Sequence, residues 1–211
     1  MVPSLKPSGL PVKPWQDPDL KERLQAHLRP IPERCPPAPE AGLTPAAVLI
    51  PLEWQADPPA WFLYVIQRSR AMTLHRGQIA FPGGVARPGD AGPWGTALRE
   101  AWEEVGLPPE VAEPLGSLPP VRTVTDFWVC PVVAFLRAAW PVRLNRREVE
   151  AWIRVPLAHL MDPSHYRWLE MRKGPDVYQG PCFQYGPYLI WGATARMIVA
   201  FLESLAEAYG Y

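Results

Sequence analysis

Strand-like apolar runs alternate with amphipathic helical patterns along most of the 211-residue chain, and that order predicts an α/β protein in which helices flank a mixed β-sheet. Hydrophobic residues make up 48% of the sequence, enough to bury one substantial core. The length favours a single domain with elaborations over two full domains. A third feature places the sheet's helices: a segment at about 93–105 reads as a helix set between two glycine-containing loops.

The elements follow in order. Residues 1–16 are expected to form an extended arm, and DPDLKERLQAHL (17–28) places Leu20, Leu24 and Leu28 at i, i+4 and i+8 of a short amphipathic helix. A proline-rich link over 29–45 ends this arm, residues 1–45, and a single domain is expected over 46–211. Segments 46–53 and 61–68 are strand candidates joined by the turn-like QADPP, hence a hairpin or adjacent strands. Segment 78–81 is a third short strand that runs into Gly83 and Gly84. The helix at about 93–105 has Pro93 where a first helical residue would stand and Gly106 as its stop. Strands are expected at about 114–124, 127–137 and 150–155, then a short helix near 157–161, and strand candidates at 166–171 and 177–183. A last helix over about 192–208 carries Ala195, Ile198, Phe201, Leu202 and Leu205 on one face, which is assigned to the core. The aromatic segment 188–192 before it either closes the core or stacks on a ring, with core packing favoured.

Charge and cysteine content narrow the function classes. Basic and acidic residues number 21 each, so the formal net charge is zero and global electrostatics point neither to nucleic acid nor to an anionic membrane surface. No apolar stretch approaches the roughly 20 residues of a membrane span, and the first residues lack the apolar core of a secretory signal. A soluble, cytoplasmic protein is expected. Cys35, Cys130 and Cys182 lie far apart and outside any CxxC pattern, so three reduced thiols are expected rather than a disulfide framework or a zinc site. The 29 prolines stiffen the loops, in keeping with heat tolerance.

The chemistry gathers in residues 84–107, GVARPGDAGPWGTALREAWEEVGL. At about 100° per residue, Glu100, Glu103 and Glu104 occupy an arc of about 100°, while Trp94, Leu98, Ala101 and Val105 fall on the opposite side. One face is expected to pack and the other to gather negative charge. Like charges at these spacings destabilise a helix unless something neutralises them, and hard divalent cations prefer oxygen ligands. Glu100, Glu103 and Glu104 therefore predict a Mg²⁺ or Mn²⁺ site, against the plainer reading of a solvated acidic face. Arg99 is assigned to orienting the glutamates by ion pairing. Gly83 and Gly84 let the loop backbone come close to the cluster.

With these residues laid out, the chain resembles the Nudix hydrolases, whose signature is a glycine, five residues, an acidic residue, a spacer, then Arg-Glu-apolar-x-Glu-Glu-x-Gly-apolar. Gly84 is followed after five residues by Asp90 in place of the usual glutamate, eight rather than seven residues separate Asp90 from Arg99, and Ala101 fills an apolar position. The resemblance implies an α/β/α sandwich around a mixed sheet and Mg²⁺- or Mn²⁺-dependent hydrolysis of a pyrophosphate bond. Its catalytic set would be Arg99, Glu100, Glu103, Glu104 and Glu148. Glu100 and Glu148 are the candidates for general base, with Glu150 a weaker competitor.

A second resemblance concerns substrate. Gln67-Arg68-Ser69 and MTLHRGQIAFPGG (72–84) are similar to the extra signature of the coenzyme A pyrophosphatase subgroup, through Met72, His75, Gly77, Gln78, Ile79, Ala80, Phe81, Pro82, Gly83 and Gly84. Thr73 stands where that pattern is usually basic. LPPVRTVTDFWVCPVVAF (118–135), Glu148-Val149, Val155-Pro156-Leu157 and residues 188–195 share the likeness, which covers about 46 to 205. It implies cleavage of coenzyme A, acylated or free, to 4′-phosphopantetheine and adenosine 3′,5′-bisphosphate, with Arg68, His75, Gln78, Gly83 and Gly84 on the substrate. A Nudix hydrolase of ADP-ribose, NADH or another nucleoside diphosphate derivative is the alternative within the family. A non-catalytic nucleotide sensor is the alternative outside catalysis, disfavoured because Glu100, Glu103 and Glu104 are all present. The expected partner is thus a small molecule, with a homodimer left open.

Overall fold

Apolar residues on both faces of the central strands set the architecture. The computed structural model describes residues 13–72, 75–173 and 176–210. Eight strands form the main sheet: β1 (Thr44–Ala56), β2 (Pro59–Arg68), β3 (Ile79–Ala80), β4 (Gly83–Val85), β5 (Ala112–Ser117), β6 (Val121–Arg122), β7 (Phe127–Leu136) and β8 (Val149–Pro156). Their order is β3-β2-β1-β7-β5, with β4 added to β1, β6 to β7 and β8 to β2. β1 and β7 run parallel, from Thr44 opposite Phe127 to Leu52 opposite Phe135, and β1 pairs antiparallel with β2 and β4, so the sheet is mixed. A second, antiparallel sheet of order β11-β10-β9 joins β9 (Tyr166–Lys173), β10 (Asp176–Tyr185) and β11 (Tyr188–Trp191). The helices are α1 (Leu20–His27), α2 (Gly92–Val105), α3 (Leu157–Met161) and α4 (Gly192–Ala208).

Period-two alternation divides the core. Ala46, Ile50 and Leu52 of β1, Trp61, Leu63 and Val65 of β2, and Val129 and Val133 of β7 pack with Leu20 and Leu24 of α1 and Ile198, Phe201 and Leu202 of α4. The intervening residues Ala47, Leu49, Ile66, Cys130 and Ala134 pack with Ala97, Ala101 and Val105 of α2. A sheet covered on both faces needs apolar side chains on both. The result is the α/β/α sandwich, in which each fully buried large apolar side chain contributes roughly 1.5–3 kcal/mol.

The expected hairpin of 46–53 and 61–68 is β1 and β2, and the helix expected near 157–161 is α3. Three differences have local causes. The expected strand at 114–124 divides into β5 and β6 around Pro119 and Pro120, which have no N–H to donate to a ladder. Segment 188–191 is a strand, β11, paired to β10, where the sequence pattern suggested only an aromatic approach to the last helix. α2 begins at Gly92, so Pro93 is its second residue, while Gly106 ends it at φ 67° as expected. Among the described residues, no helix is long and apolar enough to cross a membrane.

The expectation of three reduced thiols is corrected: Cys35 and Cys130 form a disulfide, and Cys182 is free and buried. This pairing spans 95 positions and needs the proline-rich link to lie along β7, where Trp128 Nε1 donates to the Pro36 carbonyl at 2.9 Å. No local sequence pattern encodes that contact.

The N-terminal helix is held by one buried carboxylate. Asp17 accepts from Tyr209 Oη at 2.7 Å, from the Asp19 N–H at 3.0 Å and from Arg23 Nε at 3.1 Å, while its carbonyl accepts from Trp61 Nε1 at 2.7 Å. Burial pushes its pKa up, but the hydrogen bonds from Tyr209 and Asp19 and the charge of Arg23 outweigh burial and hold it below the ordinary value. A carboxyl lowered in the folded state stabilises above its unfolded pKa of about 3.9, and that contribution is lost as pH falls through the folded pKa. Asp17→Asn is therefore expected to cost about 1–3 kcal/mol at pH 7, with the gap to wild type closing as pH falls through the lowered pKa of Asp17. Urea unfolding at neutral and at acid pH measures it; a gap unchanged by acid would mean that the carboxylate charge is not what holds the helix.

Candidate active site

Glycines bring β4 against α2. A Cβ built on Gly83, whose φ is +158°, would lie 2.6 Å from Val48 Cα, and one built on Gly84 would lie 2.6 Å from the carboxyl carbon of Glu100. Without those side chains, the Gly83 N–H donates to Glu104 Oε2 at 3.0 Å. Glu100 and Glu104 on the acidic face of α2 are consequently roofed, while Glu103 stays exposed. Glu104 is 1% exposed and Glu100 7%, whereas Trp102 is 55% exposed. Ala101 and Val105 pack as the pattern predicts, and Trp94 and Leu98 are half-buried.

Arginines compensate the buried charge. Arg99 Nε and Nη2 donate to the two oxygens of Asp90 at 2.9 and 3.0 Å, its Nη1 donates to Glu100 Oε1 at 2.6 Å and reaches Glu103 at 3.4 Å, and Nη2 also donates to the Val85 carbonyl at 3.0 Å. Asp90 accepts further bonds from the Arg87 N–H at 2.8 Å and Thr96 Oγ1 at 2.9 Å. The bonds from Arg99, against some burial, hold the Asp90 carboxyl well below the usual carboxylate range. Asp90 is thus the anchor of Arg99, a positioning role that the altered spacing left unassigned. Arg87 grips Glu103 with both terminal nitrogens at 2.9 and 3.2 Å. Arg68 Nη1 stands 3.6 Å from Glu104, its Nη2 contacts Met72 Sδ at 3.2 Å, and its buried Nε has no partner among the described residues.

Burial pushes the Glu104 carboxyl up to about 8; Arg68 and the Gly83 N–H oppose that shift, and the charges of Glu100 and Glu148 add to it. Glu148, half-buried just before β8, accepts from Asn145 Nδ2 at 3.1 Å, and its carbonyl accepts from the Ser69 N–H at 2.7 Å. Asn145 also donates its N–H to the Glu104 carbonyl at 2.9 Å. The fold therefore brings Glu148 to the α2 carboxylates. Glu150 is exposed and lies 3.9 Å from Arg70.

The loop after β2 folds back on Arg68, whose N–H donates to the Gln78 carbonyl at 2.9 Å and whose carbonyl accepts from the Gly77 N–H at 3.0 Å. His75, at φ 59°, has both ring nitrogens engaged: Nδ1 lies 2.8 Å from Gln78 Oε1 and Nε2 lies 3.2 Å from Thr125 Oγ1. Thr125 was not legible as part of the site, because it sits 50 residues away in sequence. Thr73 lies outside the described residues. In the aromatic segment, Ile190 is buried and Tyr188 packs against the core, and Thr194 Oγ1 of α4 donates to the Ile79 carbonyl at 3.1 Å.

The donor chemistry suits a hard cation. Glu100, Glu103 and Glu104 offer carboxylate oxygens only, and burial above all, with the charges of Glu100 and Glu148 adding to it, keeps Glu104 reluctant to ionise. As the side chains stand, with arginines on each of them, no three His, Cys, Asp or Glu among the described residues form a ready ligand group.

Comparison with known proteins shows the family. The NUDIX domain model matches residues 43–172. Over 153 residues the chain is 40% identical to the uncharacterized Nudix hydrolase NudL of Escherichia coli strain K12, covering 72% of this chain and 78% of that one. NudL of Shigella boydii serotype 18 gives the same figures. A crystal structure of a MutT/nudix family protein from Enterococcus faecalis aligns with a TM-score of 0.49 at 17% identity, over 82% of this chain and 70% of the other.

The contact between Gly84 and Glu100 makes a specific expectation. Gly84→Ala should destabilise by about 1–3 kcal/mol through overpacking, and the same substitution in a Glu100→Ala background should cost less than half as much. Thermal unfolding of the four proteins completes the cycle. Equal costs in both backgrounds would place the collision elsewhere.

Proposed function

This chain belongs to the Nudix hydrolase family, and from that premise we propose that it is a Mg²⁺- or Mn²⁺-dependent pyrophosphate hydrolase whose preferred substrate is coenzyme A, free or acylated. The products would be 4′-phosphopantetheine and adenosine 3′,5′-bisphosphate. The observation that carries the hydrolase reading is the cluster of Glu100, Glu103 and Glu104 on one face of α2, with Glu100 and Glu104 buried beside Gly83 and Gly84. Support for the substrate comes from residues 67–84, the part of the chain that resembles the coenzyme A pyrophosphatase subgroup.

Glu100, Glu103 and Glu104 would hold the cation, which supplies neutralisation of the diphosphate oxygens and activation of water. The chain's own groups do the positioning. Asp90 fixes Arg99, and Arg99 fixes Glu100, so the ligand side chains are aligned before substrate arrives. Glu148 takes the proton of the attacking water: its carboxylate is oriented by Asn145 and half-exposed, whereas Glu100 Oε1 is already committed to Arg99 at 2.6 Å. Glu150 faces away, toward Arg70. His75 acts by bracing the loop, because Gln78 and Thr125 occupy both its ring nitrogens. Arg68 and the backbone of Gly83 and Gly84 remain the direct candidates for phosphate contact.

Glu103→Gln and Glu104→Gln are each expected to lower turnover by orders of magnitude while the fold persists, since neither removes packing. Hydrolysis of coenzyme A, acyl-coenzyme A, NADH, ADP-ribose and nucleoside triphosphates with saturating Mg²⁺ or Mn²⁺ tests both levels of the reading. Near-wild-type turnover in either variant would remove that residue from the metal set. Faster hydrolysis of ADP-ribose than of coenzyme A by the wild type would overturn the substrate and leave the family activity.

Loss of the loop brace should show in substrate use. His75→Ala is expected to weaken kcat/KM for coenzyme A relative to ADP-ribose by about one to two decades, the loss of about 1–3 kcal/mol of polar contact. Equal effects on both substrates would detach the loop from specificity.

A further inference from the structure

Arg87 occupies one of the five variable positions between Gly84 and Asp90, and no role in the chemistry above falls to it. Its guanidinium nevertheless sits on two of the three cation-binding carboxylates. Nη1 and Nη2 lie 2.9 and 3.2 Å from the two oxygens of Glu103, a parallel fork, and Nη2 is 3.8 Å from Glu100 Oε1. Three arginines face the cluster, and they differ in what else holds them. Arg99 is 20% exposed and fixed by two bonds to Asp90 and one to the Val85 carbonyl. Arg68 is 19% exposed, with Met72 as its second contact. Arg87 is 55% exposed, and among the described residues the other bonds its residue makes to the cluster are backbone ones with Asp90: its N–H donates to the Asp90 carboxylate and its carbonyl accepts from the Asp90 N–H at 3.1 Å. Its side chain can leave while its backbone stays.

A guanidinium fork engages one lone pair on each carboxylate oxygen, and a second positive group brought to the same oxygens is repelled by it. Exposed ion pairs are weak, so a divalent cation displaces Arg87 and leaves Arg99 in place. A cavity lined by Ala47, Ala86, Arg87, Asp90 and Thr96 opens beside the side chain and gives it room. Once released, the fork remains at the rim of the site, tethered by the Asp90 bond. A diphosphate is the chemistry that such a planar fork recognises best.

We propose that Arg87 is an exchange residue: it occupies Glu103 and Glu100 in the metal-free protein, yields them to a divalent cation, and then pairs with the diphosphate of the bound substrate. The last step rests on the hydrolase reading; the first two do not.

The test begins without substrate. Mn²⁺ titration of the full chain, followed by calorimetry, compares wild type with Arg87→Gln, Arg87→Lys and the control Arg137→Gln, which removes the same charge from an exposed pair with Glu113. Arg87→Gln should bind Mn²⁺ about two- to fivefold more tightly, the range of an exposed ion pair, while Arg137→Gln should match wild type. Affinity in Arg87→Gln that equals or falls below wild type, or a gain shared by Arg137→Gln, would overturn the exchange. With the diphosphate substrate, Arg87→Gln should raise KM about tenfold or more, as expected for a lost hydrogen bond to a charged group. Arg87→Lys should restore wild-type Mn²⁺ affinity and leave KM raised, because an ammonium is a cation without the fork. Unchanged KM in Arg87→Gln would overturn the diphosphate step. If the wild type hydrolyses no diphosphate, the hydrolase reading fails while the Mn²⁺ comparison still decides the exchange.

Discussion

Two carboxylates buried under a glycine strand impose most of what is distinctive in this molecule. An ionised carboxylate taken out of water must be paired or must stay protonated, and Glu100 and Glu104 are both nearly inaccessible. Each neighbour answers that demand. Arg99 serves Glu100 and is itself held by Asp90; Arg68 and the Gly83 N–H serve Glu104. Glu104 remains incompletely compensated, as its raised pKa records. Bare backbone at Gly83 and Gly84 is the condition for all of it, since any Cβ there would occupy the space of Val48 or of the Glu100 carboxylate.

The same roof depends on elements far from it in sequence. α2 starts at Gly92, where a Cβ would collide with the Glu33 carbonyl, so the link after the N-terminal helix abuts the first turn of the helix that carries the glutamates. That link is tied to β7 by the Cys35–Cys130 disulfide and by the Trp128 to Pro36 hydrogen bond. Upstream, Asp17 joins the N-terminal helix to Trp61 in β2 and to Tyr209 after α4. The amino-terminal segment therefore packs on both sides of the sandwich, with Leu20 and Leu24 in the α4 layer and Glu33 against α2. A segment that supports a helix N-terminus in this way constrains the helix that carries the glutamates.

What was legible in the sequence follows from the range of the interactions involved. Helix α2, its glycine stop and the β1–β2 hairpin are written in residues a few positions apart, and α4 is written in a periodic apolar face. The acidic cluster was legible for the same reason, because Glu100, Glu103 and Glu104 share one helix. Their burial was not. It depends on β4, whose three residues reveal nothing about which neighbour they will roof. Long-range pairings were equally silent: Cys35 with Cys130, His75 with Thr125, and Arg87 with Glu103 are all tertiary. Proline explains the one strand that divided, and the Tyr185-Gly186-Pro187-Tyr188 turn explains how a segment marked only as aromatic became a hairpin strand.

Placement also separates the buried acidic cluster from the loops beside it. The carboxylates and Arg99 sit on or beside a helix packed into the sheet, with backbone and side-chain bonds that leave little freedom. The His75 loop is organised differently: His75 in a left-handed conformation, Gln78 and Thr125 form a polar bracket between the loops after β2 and after β6, and neither loop carries one of the α2 carboxylates. Because both ring nitrogens of His75 are occupied within the protein, the imidazole sets the shape of these two loops. Thr125 is then as much a part of that shape as His75, and through Thr123, 3.2 Å away, the bracket extends to the start of β7, where the Thr123 hydroxyl accepts from the Phe127 N–H. This loop-to-loop contact can accordingly vary without disturbing the buried charge beneath it.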